Sequence, residues 1–452
     1  MSQTSVNAIK VLGVDAINKA KSGHPGVVMG AAPMAYSLFA NHLRVNPKKE
    51  NWINRDRFVL SAGHGSMLLY SLLHLSGFED VSLEEIKNFR QWGSKTPGHP
   101  EFGHTKGVDA TTGPLGQGVS TAVGMALAER YLAAKYNKEG YNLFDHYTYV
   151  ICGDGDIMEG VASETASFAA IQKLNKLVVL YDSNDICLDG ETKDAFSESV
   201  RKRYEAYGWN TILVEEGSNV DAISKALEEA KKSDKPTLIE VKTIIGAGSP
   251  NKQGTNGVHG APLGEEETAL FRKEIGWEYE PFEIPTEVYA DFKEKVADRG
   301  EAAYKSWEKL YDDYKAKYPE LASELEEVLS RKDIERLSKE SFGFKNVGEA
   351  QATRNSSQDS INSIAAVLPT FFGGSADLSH SNMTFIKGEG LQNNENRVAR
   401  NVQFGVREFG MATILNGLML HGGVRVFGGT FFVFSDYLKA ALRLLIESCD
   451  EL

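Results

Sequence analysis

The residues best suited to chemistry are a carboxylate between two glycines and an amide that follows thirty positions later. Asp154 lies in a Gly-Asp-Gly sequence directly after an apolar run, and Asn184 follows a second apolar run. Carboxylate and amide oxygens are hard ligands that suit Mg²⁺, which takes its remaining ligands from substrate phosphates and water. The flanking glycines let the backbone approach a phosphate closely. The pair predicts a magnesium–diphosphate site, although Gly-Asp-Gly alone is also an ordinary turn.

Both polar residues are expected at one edge of a parallel sheet. Residues 147–152 and 177–181 are apolar runs typical of strands, and residues 159–173 between them have apolar positions spaced as one helix face. A strand–helix–strand unit places the ends of its strands at the carboxyl edge of the sheet, where α/β proteins bind ligands. Further strand candidates at 211–214 and 238–241 extend the pattern. The sequence therefore predicts an α/β protein with doubly wound parallel sheets.

The order of these elements predicts two domains. Residues 1–320 form the first domain and include the start of a charged helical connector on the surface. Residues 321–452 contain the rest of the connector and a second α/β pattern, in which residues 424–434 are interpreted as a strand. The helix that begins near residue 437 has no obvious closure after it. We therefore expect the second domain to be incomplete.

The composition excludes several classes of partner. The net charge of −13 leaves no excess of cations to neutralise nucleic-acid phosphates. No apolar run approaches the roughly 20 residues that span a bilayer, and the N-terminus does not resemble a signal peptide. The three cysteines, Cys152, Cys187 and Cys449, match no metal or redox spacing. They are interpreted as reduced thiols of a cytoplasmic protein that contacts neither nucleic acid nor membrane.

The Gly-Asp-Gly motif with its later asparagine resembles the fingerprint of thiamine-diphosphate enzymes, and further motifs resemble those of transketolases. In chain order they are residues 22–26, 61–66, 97–101, 111–118, 258–264, 352–354, 373–378 and 405–411. The resemblance extends from the first residues to about residue 443. It implies the thiamine-diphosphate-binding fold, with a first domain that binds the diphosphate and a partial second domain that binds the pyrimidine ring.

The resemblance implies that the chain binds thiamine diphosphate together with Mg²⁺, or with Ca²⁺ or another divalent cation. The metal ligands would be the side chains of Asp154 and Asn184 and the backbone carbonyl of Ile186. Gly155 would contact the diphosphate through its amide. The other cofactor contacts implied in the first domain are His64, Gly113, Pro114, Leu115 and His259.

Glu408 is the implied catalytic carboxyl of the second domain. It would hydrogen-bond the aminopyrimidine ring and favour the imino form that removes the reactive proton. Its apolar neighbours predict a pocket that raises its pKa, and a salt bridge to Arg407 is the alternative. The resemblance also places three aromatic residues around the pyrimidine ring, with Phe434 as the main ring contact, although their spacing fits a plain core as well. They are Phe431, Phe434 and Tyr437.

Substrate binding is implied for residues of both domains. His24 and His259 would bind substrate hydroxyls and assist proton transfer, and His99 would contact the sugar hydroxyls. Arg354 and Ser381 would hold the sugar phosphate, because a guanidinium fork and a hydroxyl both donate to phosphate oxygens. An arginine in a surface salt bridge is the alternative interpretation of Arg354.

The implied reaction is the transfer of a two-carbon ketol unit between sugar phosphates in the pentose phosphate pathway. The donor would be a ketose phosphate of the xylulose 5-phosphate type, and the acceptor an aldose phosphate of the ribose 5-phosphate type. The alternatives are a related synthase, such as dihydroxyacetone synthase or deoxyxylulose-phosphate synthase, and a catalytically inactive fragment. The family also implies a homodimer. An incomplete second domain would expose strand edges and apolar helix surface, so we expect dimerisation of this chain to be impaired.

Overall fold

The larger sheet of the protein consists of five parallel strands in the order β1-β2-β3-β5-β4. The computed structural model describes residues 2–339 and 350–449. β2 and β3 pair in register so that Gly153 lies opposite Asp182, which brings the carboxyl ends of both strands together. The strands are β1 (Arg57–Leu60), β2 (Thr148–Gly153), β3 (Leu177–Ser183), β4 (Asn210–Val214) and β5 (Thr237–Lys242).

Helices cover both faces of this sheet. In β2, Tyr149 and Ile151 belong to one buried cluster, whereas Val150 and Cys152 belong to another on the opposite face. This alternation confirms a doubly wound sheet, because only a sheet that is buried on both faces needs apolar residues at every position. The helices of this part are α1 (Ser2–Ala20), α2 (Pro25–Asn41), α3 (Ser66–Ser76), α4 (Leu83–Lys87), α5 (Gln117–Tyr136), α6 (Asp154–Met158), α7 (Gly160–Ile171), α8 (Val200–Tyr207), α9 (Val220–Ala230), α10 (Glu265–Glu274) and α11 (Thr286–Phe292).

The connector is helical, but it is packed more tightly than a surface helix. It contains α12 (Arg299–Lys317), α13 (Pro319–Leu329) and α14 (Lys332–Lys339). The Trp307 indole N–H donates to the Leu143 carbonyl at 2.8 Å, and the buried Tyr314 hydroxyl donates to the Tyr136 carbonyl at 2.8 Å. The aromatic positions of α12 thus form an inner face against the end of α5 and the segment that follows it, and its charged residues form the outer face.

The smaller sheet has three parallel strands in the order β7-β6-β8. Its strands are β6 (Phe371–Ser375), β7 (Asn401–Gln403) and β8 (Arg425–Gly429), and its helices are α15 (Thr353–Val367), α16 (Ser379–Asn382), α17 (Glu408–His421) and α18 (Ser435–Cys449). The strand predicted at 424–434 is shorter than expected. It ends at Gly429 because the partner strand β6 ends at Ser375, opposite that glycine, and a 3₁₀ turn at Phe432–Phe434 follows.

No helix in the described part of the chain is long and apolar enough to cross a membrane. Cys152 and Cys187 are both free cysteines. The side chain of Cys449 lies outside the described residues.

Two glycines allow α5 and α17 to pack at very short range. A Cβ on Gly417 would lie 1.9 Å from the carbonyl oxygen of Thr121, and a Cβ on Gly124 would lie 2.1 Å from that of Ile414. Neither carbonyl can yield without moving a helix backbone. This crossing joins the first half of the chain to the second, and only glycine fits at either position.

We predict that Gly417→Val destabilises the protein by about 3 kcal/mol or more, because the added side chain forces α5 and α17 apart. The measurement is the change in free energy of unfolding in urea. Gly160→Ala is the matched control, since a Cβ at Gly160 meets no atom within 4 Å and should change stability little. A Gly417→Val protein as stable as the wild type would contradict the close crossing.

Candidate active site

A cavity of about 700 Å³ opens at the carboxyl edge of the larger sheet. Its floor contains Asp154, directly after β2, and Asn184, directly after β3. Loops from several distant segments complete the wall. The predicted site residues that line the cavity, besides these two, are His24, His64, Gly113, Leu115, Gly155, Ile186 and His259. The fold therefore gathers motifs that are up to about 230 residues apart around one space.

Asp154 lies at the floor as an incompletely satisfied buried carboxylate. It is 4% exposed, and its Oδ1 accepts a hydrogen bond from the Tyr181 hydroxyl. Its Oδ2 is buried without a hydrogen-bond partner in the described structure. Burial raises the pKa of Asp154 to about 7; the Tyr181 bond lowers it and the charge of Asp182 raises it further. An orphaned buried carboxylate oxygen is costly, and a bound cation would satisfy it.

The Asn184 side chain is held in place by its own turn. Its Oδ1 accepts from the Ile186 amide at 3.1 Å, and its Nδ2 donates to Asp182 Oδ2 at 3.1 Å. An amide oxygen has two lone pairs, so Oδ1 keeps capacity for one more partner. Among the residues described, no three His, Cys, Asp or Glu side chains converge as a metal site. A cation at Asp154 would therefore depend on amide, carbonyl and ligand oxygens.

Three histidine rings that line the same cavity lie close to one another. The ring centroids of His24 and His64 are 4.9 Å apart, and those of His64 and His259 are 5.3 Å apart with the rings stacked. Burial, followed by the charge of Arg90, lowers the pKa of His24 to about 4. Burial, followed by the neighbouring His24, lowers the pKa of His64 to about 3. Burial also lowers the pKa of His259. Neutral imidazoles can each donate one hydrogen bond and accept one.

His99 lies beside this group without lining the cavity. A Cβ on Gly113 would lie 3.1 Å from the Cδ2 of His99, so the histidine ring packs directly against the glycine that does line the wall. The backbone φ of Gly113 is +148°, a conformation that other residues rarely adopt. In the same turn, the Leu115 side chain lies so close to Gly155 that a Cβ added to this glycine would be 2.8 Å from it. Pro114 is exposed. Space for a ligand at this turn depends on its glycines.

The low pKa of His64 predicts a loss of stability in acid. In the unfolded chain the histidine titrates near its ordinary pKa of 6.5, whereas the folded protein keeps it neutral to about pH 3. The free energy of unfolding therefore decreases as the pH falls below 6.5. At pH 5.5 the loss due to this histidine is roughly 1 kcal/mol. We predict that His64→Gln loses less stability than the wild type between pH 7 and pH 5.5 in urea unfolding. Equal losses would contradict the assignment of a neutral imidazole to His64.

Glu408 does not reach the cavity of its own chain. It begins α17 as a half-buried residue. The predicted apolar pocket is wrong for this chain, because Val406 is 75% exposed while Phe404 and Met411 turn into the core. The alternative salt bridge is not formed either. Arg407 donates to the Phe404 carbonyl and to the Ser167 hydroxyl instead.

Of the three predicted aromatic residues, Phe431 and Tyr437 are exposed and Phe434 is half-buried, so the alternative of a plain core is wrong for this chain. Phe431 is 39% exposed and Tyr437 is 65% exposed, with Phe434 between them at ring-centroid distances of 6.2 Å from each. Together with the exposed residues Phe432 and Val433 they form what we call the aromatic patch. The predicted phosphate ligands, Arg354 at the start of α15 and Ser381 in α16, are exposed and do not line the cavity.

Two residues of the site were not found from the sequence. Tyr181, the hydroxyl partner of Asp154, was interpreted only as part of a strand. Asp156 is fully buried and accepts hydrogen bonds from Ser61, Gly116 and Gly153. The signal for Asp156 was present as a second acidic residue directly after the Gly-Asp-Gly motif.

Comparison with known proteins gives consistent matches along the chain. Residues 1–333 match the family described as transketolase, thiamine diphosphate binding domain, and residues 349–448 match transketolase, pyrimidine binding domain. A probable transketolase of Streptococcus pneumoniae is 72% identical over 444 residues, which cover 98% of this chain and 68% of that protein. A transketolase of Halalkalibacterium halodurans is 57% identical over 98% of this chain and 66% of its own length.

Solved structures give the same result. The transketolase from Leishmania mexicana superposes with a TM-score of 0.92 at 41% identity, over 99% of this chain and 67% of that one. A Pichia stipitis transketolase in complex with sedoheptulose 7-phosphate gives a TM-score of 0.93 at 42% identity, with the same coverage. The chain thus spans about two thirds of the length of the relatives that it matches.

Proposed function

The chain belongs to the transketolase family, and from that premise we propose that it transfers a two-carbon ketol unit from a ketose phosphate to an aldose phosphate. The donor is of the xylulose 5-phosphate type and the acceptor of the ribose 5-phosphate type, as in the pentose phosphate pathway. The observation that carries the proposal is the cavity in which Asp154 and Asn184 face a group of neutral histidines.

The residues at the cavity floor fit a divalent cation with thiamine diphosphate. Asp154, Asn184 and the Ile186 carbonyl would hold Mg²⁺, or Ca²⁺ or another divalent cation, and the buried orphan oxygen of Asp154 supports this choice. The Gly155 amide would bind the diphosphate, with His64 beside it. The turn of Gly113, Pro114 and Leu115 would support the cofactor from the other side. When bound, thiamine diphosphate supplies the carbanion chemistry of ketol transfer.

The histidines would act on the sugar. His24 and His259 each have a buried Nδ1 without a partner in the described structure, so both retain hydrogen-bonding capacity for a ligand. As neutral imidazoles they can bind substrate hydroxyls and exchange a proton at the reacting carbonyl oxygen. His99 would bind sugar hydroxyls from its position behind the cofactor turn. Arg354 and Ser381, both exposed, would bind the sugar phosphate.

A homodimer would complete the site. Glu408 and the aromatic patch are absent from the cavity of their own chain, and large exposed aromatic groups are typical of a surface that another chain covers. A second copy would place its Glu408 against the aminopyrimidine ring, with Phe431, Phe434 and Tyr437 around that ring. In this arrangement residues 1–320 would form the diphosphate-binding domain with the start of the connector, and residues 321–452 would contribute the rest of the connector and the residues that bind the pyrimidine ring. We place the protein in the cytoplasm.

The proposed function is tested by comparing acceptors in the presence of thiamine diphosphate and Mg²⁺. With xylulose 5-phosphate as donor, we expect formation of a seven-carbon ketose phosphate from ribose 5-phosphate. Faster turnover with formaldehyde, or with glyceraldehyde 3-phosphate and pyruvate, would indicate one of the related synthases instead. A folded chain that binds the cofactor and transfers nothing to any acceptor would indicate an inactive chain.

A further inference from the structure

Asp156 is a buried carboxylate that accepts hydrogen bonds from three separate segments. Its Oδ1 accepts from the Ser61 hydroxyl at 2.6 Å and from the Gly116 amide at 2.8 Å. Its Oδ2 accepts from the Gly153 amide at 3.0 Å. The residue is 0% exposed, and its partners in the described part of the chain are one hydroxyl and two backbone amides, with no cation among them.

Each of these three segments forms part of the cavity wall. Ser61 follows β1 and begins the turn that carries His64. Gly116, with a φ of +76°, ends the turn that carries Gly113 and Leu115. Gly153 directly precedes Asp154. The carboxylate of Asp156 is thus the common acceptor for the turns on three sides of the cavity.

The segments that Asp156 connects also pack closely against one another. A Cβ on Gly118 would lie 2.6 Å from the Cα of Ser61, and a Cβ on Gly155 would lie 2.8 Å from the Leu115 side chain. Ser61 also accepts a hydrogen bond from the Val119 amide at 3.1 Å, which extends the connection into α5. A buried carboxylate without a cation is costly to fold, and its three charge-assisted hydrogen bonds offset that cost only in this arrangement.

We propose that Asp156 is a positioning residue that fixes the turns at 61–64, 113–116 and 153–155 relative to one another and thereby shapes the cofactor cavity. Asp156 borders the cavity, but it is 0% exposed and acts through its hydrogen bonds to these turns. The proposal rests on the proposed function only for the identity of the ligand, thiamine diphosphate with a divalent cation. The connection between the turns exists in the cofactor-free protein and can be measured there.

The substitution Asp156→Asn keeps two hydrogen bonds of the carboxylate and removes the third. The amide oxygen can still accept from Ser61 and Gly116, whereas the amide nitrogen would face the Gly153 N–H, so that two donors meet. Ser61→Ala is the matched variant, because it removes the hydroxyl donor and leaves both backbone amides bonded to Asp156. The structure therefore predicts a larger effect for Asp156→Asn than for Ser61→Ala.

The first readout is hydrogen–deuterium exchange of the cofactor-free protein. In Asp156→Asn we expect faster exchange in peptides that cover residues 113–118 and 153–158, with unchanged exchange in the strand β5. The second readout is calorimetric titration with thiamine diphosphate and Mg²⁺, in which the dissociation constant should rise by about 10-fold or more. A purely structural role would lower the unfolding midpoint and leave the affinity of the folded protein unchanged.

Unchanged exchange in both peptides of Asp156→Asn would overturn the proposal, whether or not the wild type binds thiamine diphosphate. Faster exchange with an unaltered dissociation constant would also overturn it, provided that the wild type binds. If the wild type does not bind, the proposed function fails and the exchange data alone decide about Asp156. If Asp156→Asn does not fold, Ser61→Ala decides: faster exchange at 113–118 supports the proposal, and unchanged exchange overturns it.

Discussion

Replacing Asp154 with alanine is expected to abolish magnesium-dependent binding of thiamine diphosphate, with a loss of more than about 100-fold in affinity. Asp154 is the only carboxylate of the proposed metal set, and its buried Oδ2 has no partner within the described structure. Without this oxygen the cation would have only neutral protein ligands to balance its charge. The measurement is a calorimetric titration of the wild type and the variant with thiamine diphosphate, with and without Mg²⁺.

Asp185→Asn is the matched control for this prediction. Asp185 is exposed, raises the pKa of Asp154 through its charge, and has a φ of +63°, which asparagine tolerates. The control removes a nearby negative charge without removing a proposed ligand, so binding should change only a few-fold. Equal affinities of Asp154→Ala and the wild type in Mg²⁺ would show that the cation is bound elsewhere.

Glu408→Gln is expected to reduce the rate of ketol transfer by about 100-fold or more, while cofactor affinity changes little. Glutamine keeps the size of the side chain and can still form a hydrogen bond, but it cannot share a proton with the aminopyrimidine ring. The predicted result is therefore a low kcat in a protein that still binds thiamine diphosphate. The transfer assay with xylulose 5-phosphate and ribose 5-phosphate measures the first quantity, and calorimetry measures the second.

The control for Glu408→Gln is Glu287→Gln, which changes another glutamate in the first turn of a helix, α11, that does not line the cavity. This variant should transfer the ketol unit at the wild-type rate. Wild-type turnover by Glu408→Gln would exclude Glu408 as the proton-sharing carboxyl.

Much of the first domain could be predicted from the sequence because its strands are buried on both faces. Residues 147–152 and 177–181 are apolar runs, and a parallel sheet requires such runs. The joint position of Asp154 and Asn184 follows from the same geometry, since parallel strands end at a common edge. By contrast β1, Arg57–Leu60, has four residues and begins with a charged one, so no local pattern identifies it. Its place depends on pairing with β2.

The predictions that are wrong for the second half of the chain concern contacts between distant residues, which a local sequence pattern does not contain. The apolar neighbours of Glu408 diverge because α17 begins at that residue and turns Met411 inward while Val406 stays outside. The aromatic residues near 434 have a spacing that fits either a core or a binding surface, and only the fold shows that Phe431 and Tyr437 are exposed. Asp156 was missed for a related reason, because two of its three donors are 40 or more residues away in the chain.

The central claim, that thiamine diphosphate and a divalent cation bind between Asp154, Asn184 and the histidines, is tested most directly by a crystal of the chain grown with thiamine diphosphate and Mn²⁺. The anomalous signal of manganese locates the cation independently of the protein density. We predict one anomalous peak within bonding distance of Asp154, Asn184 and the Ile186 carbonyl, with the diphosphate in the same cavity. Cofactor density elsewhere, or a loaded crystal without a manganese peak at Asp154, would contradict the account.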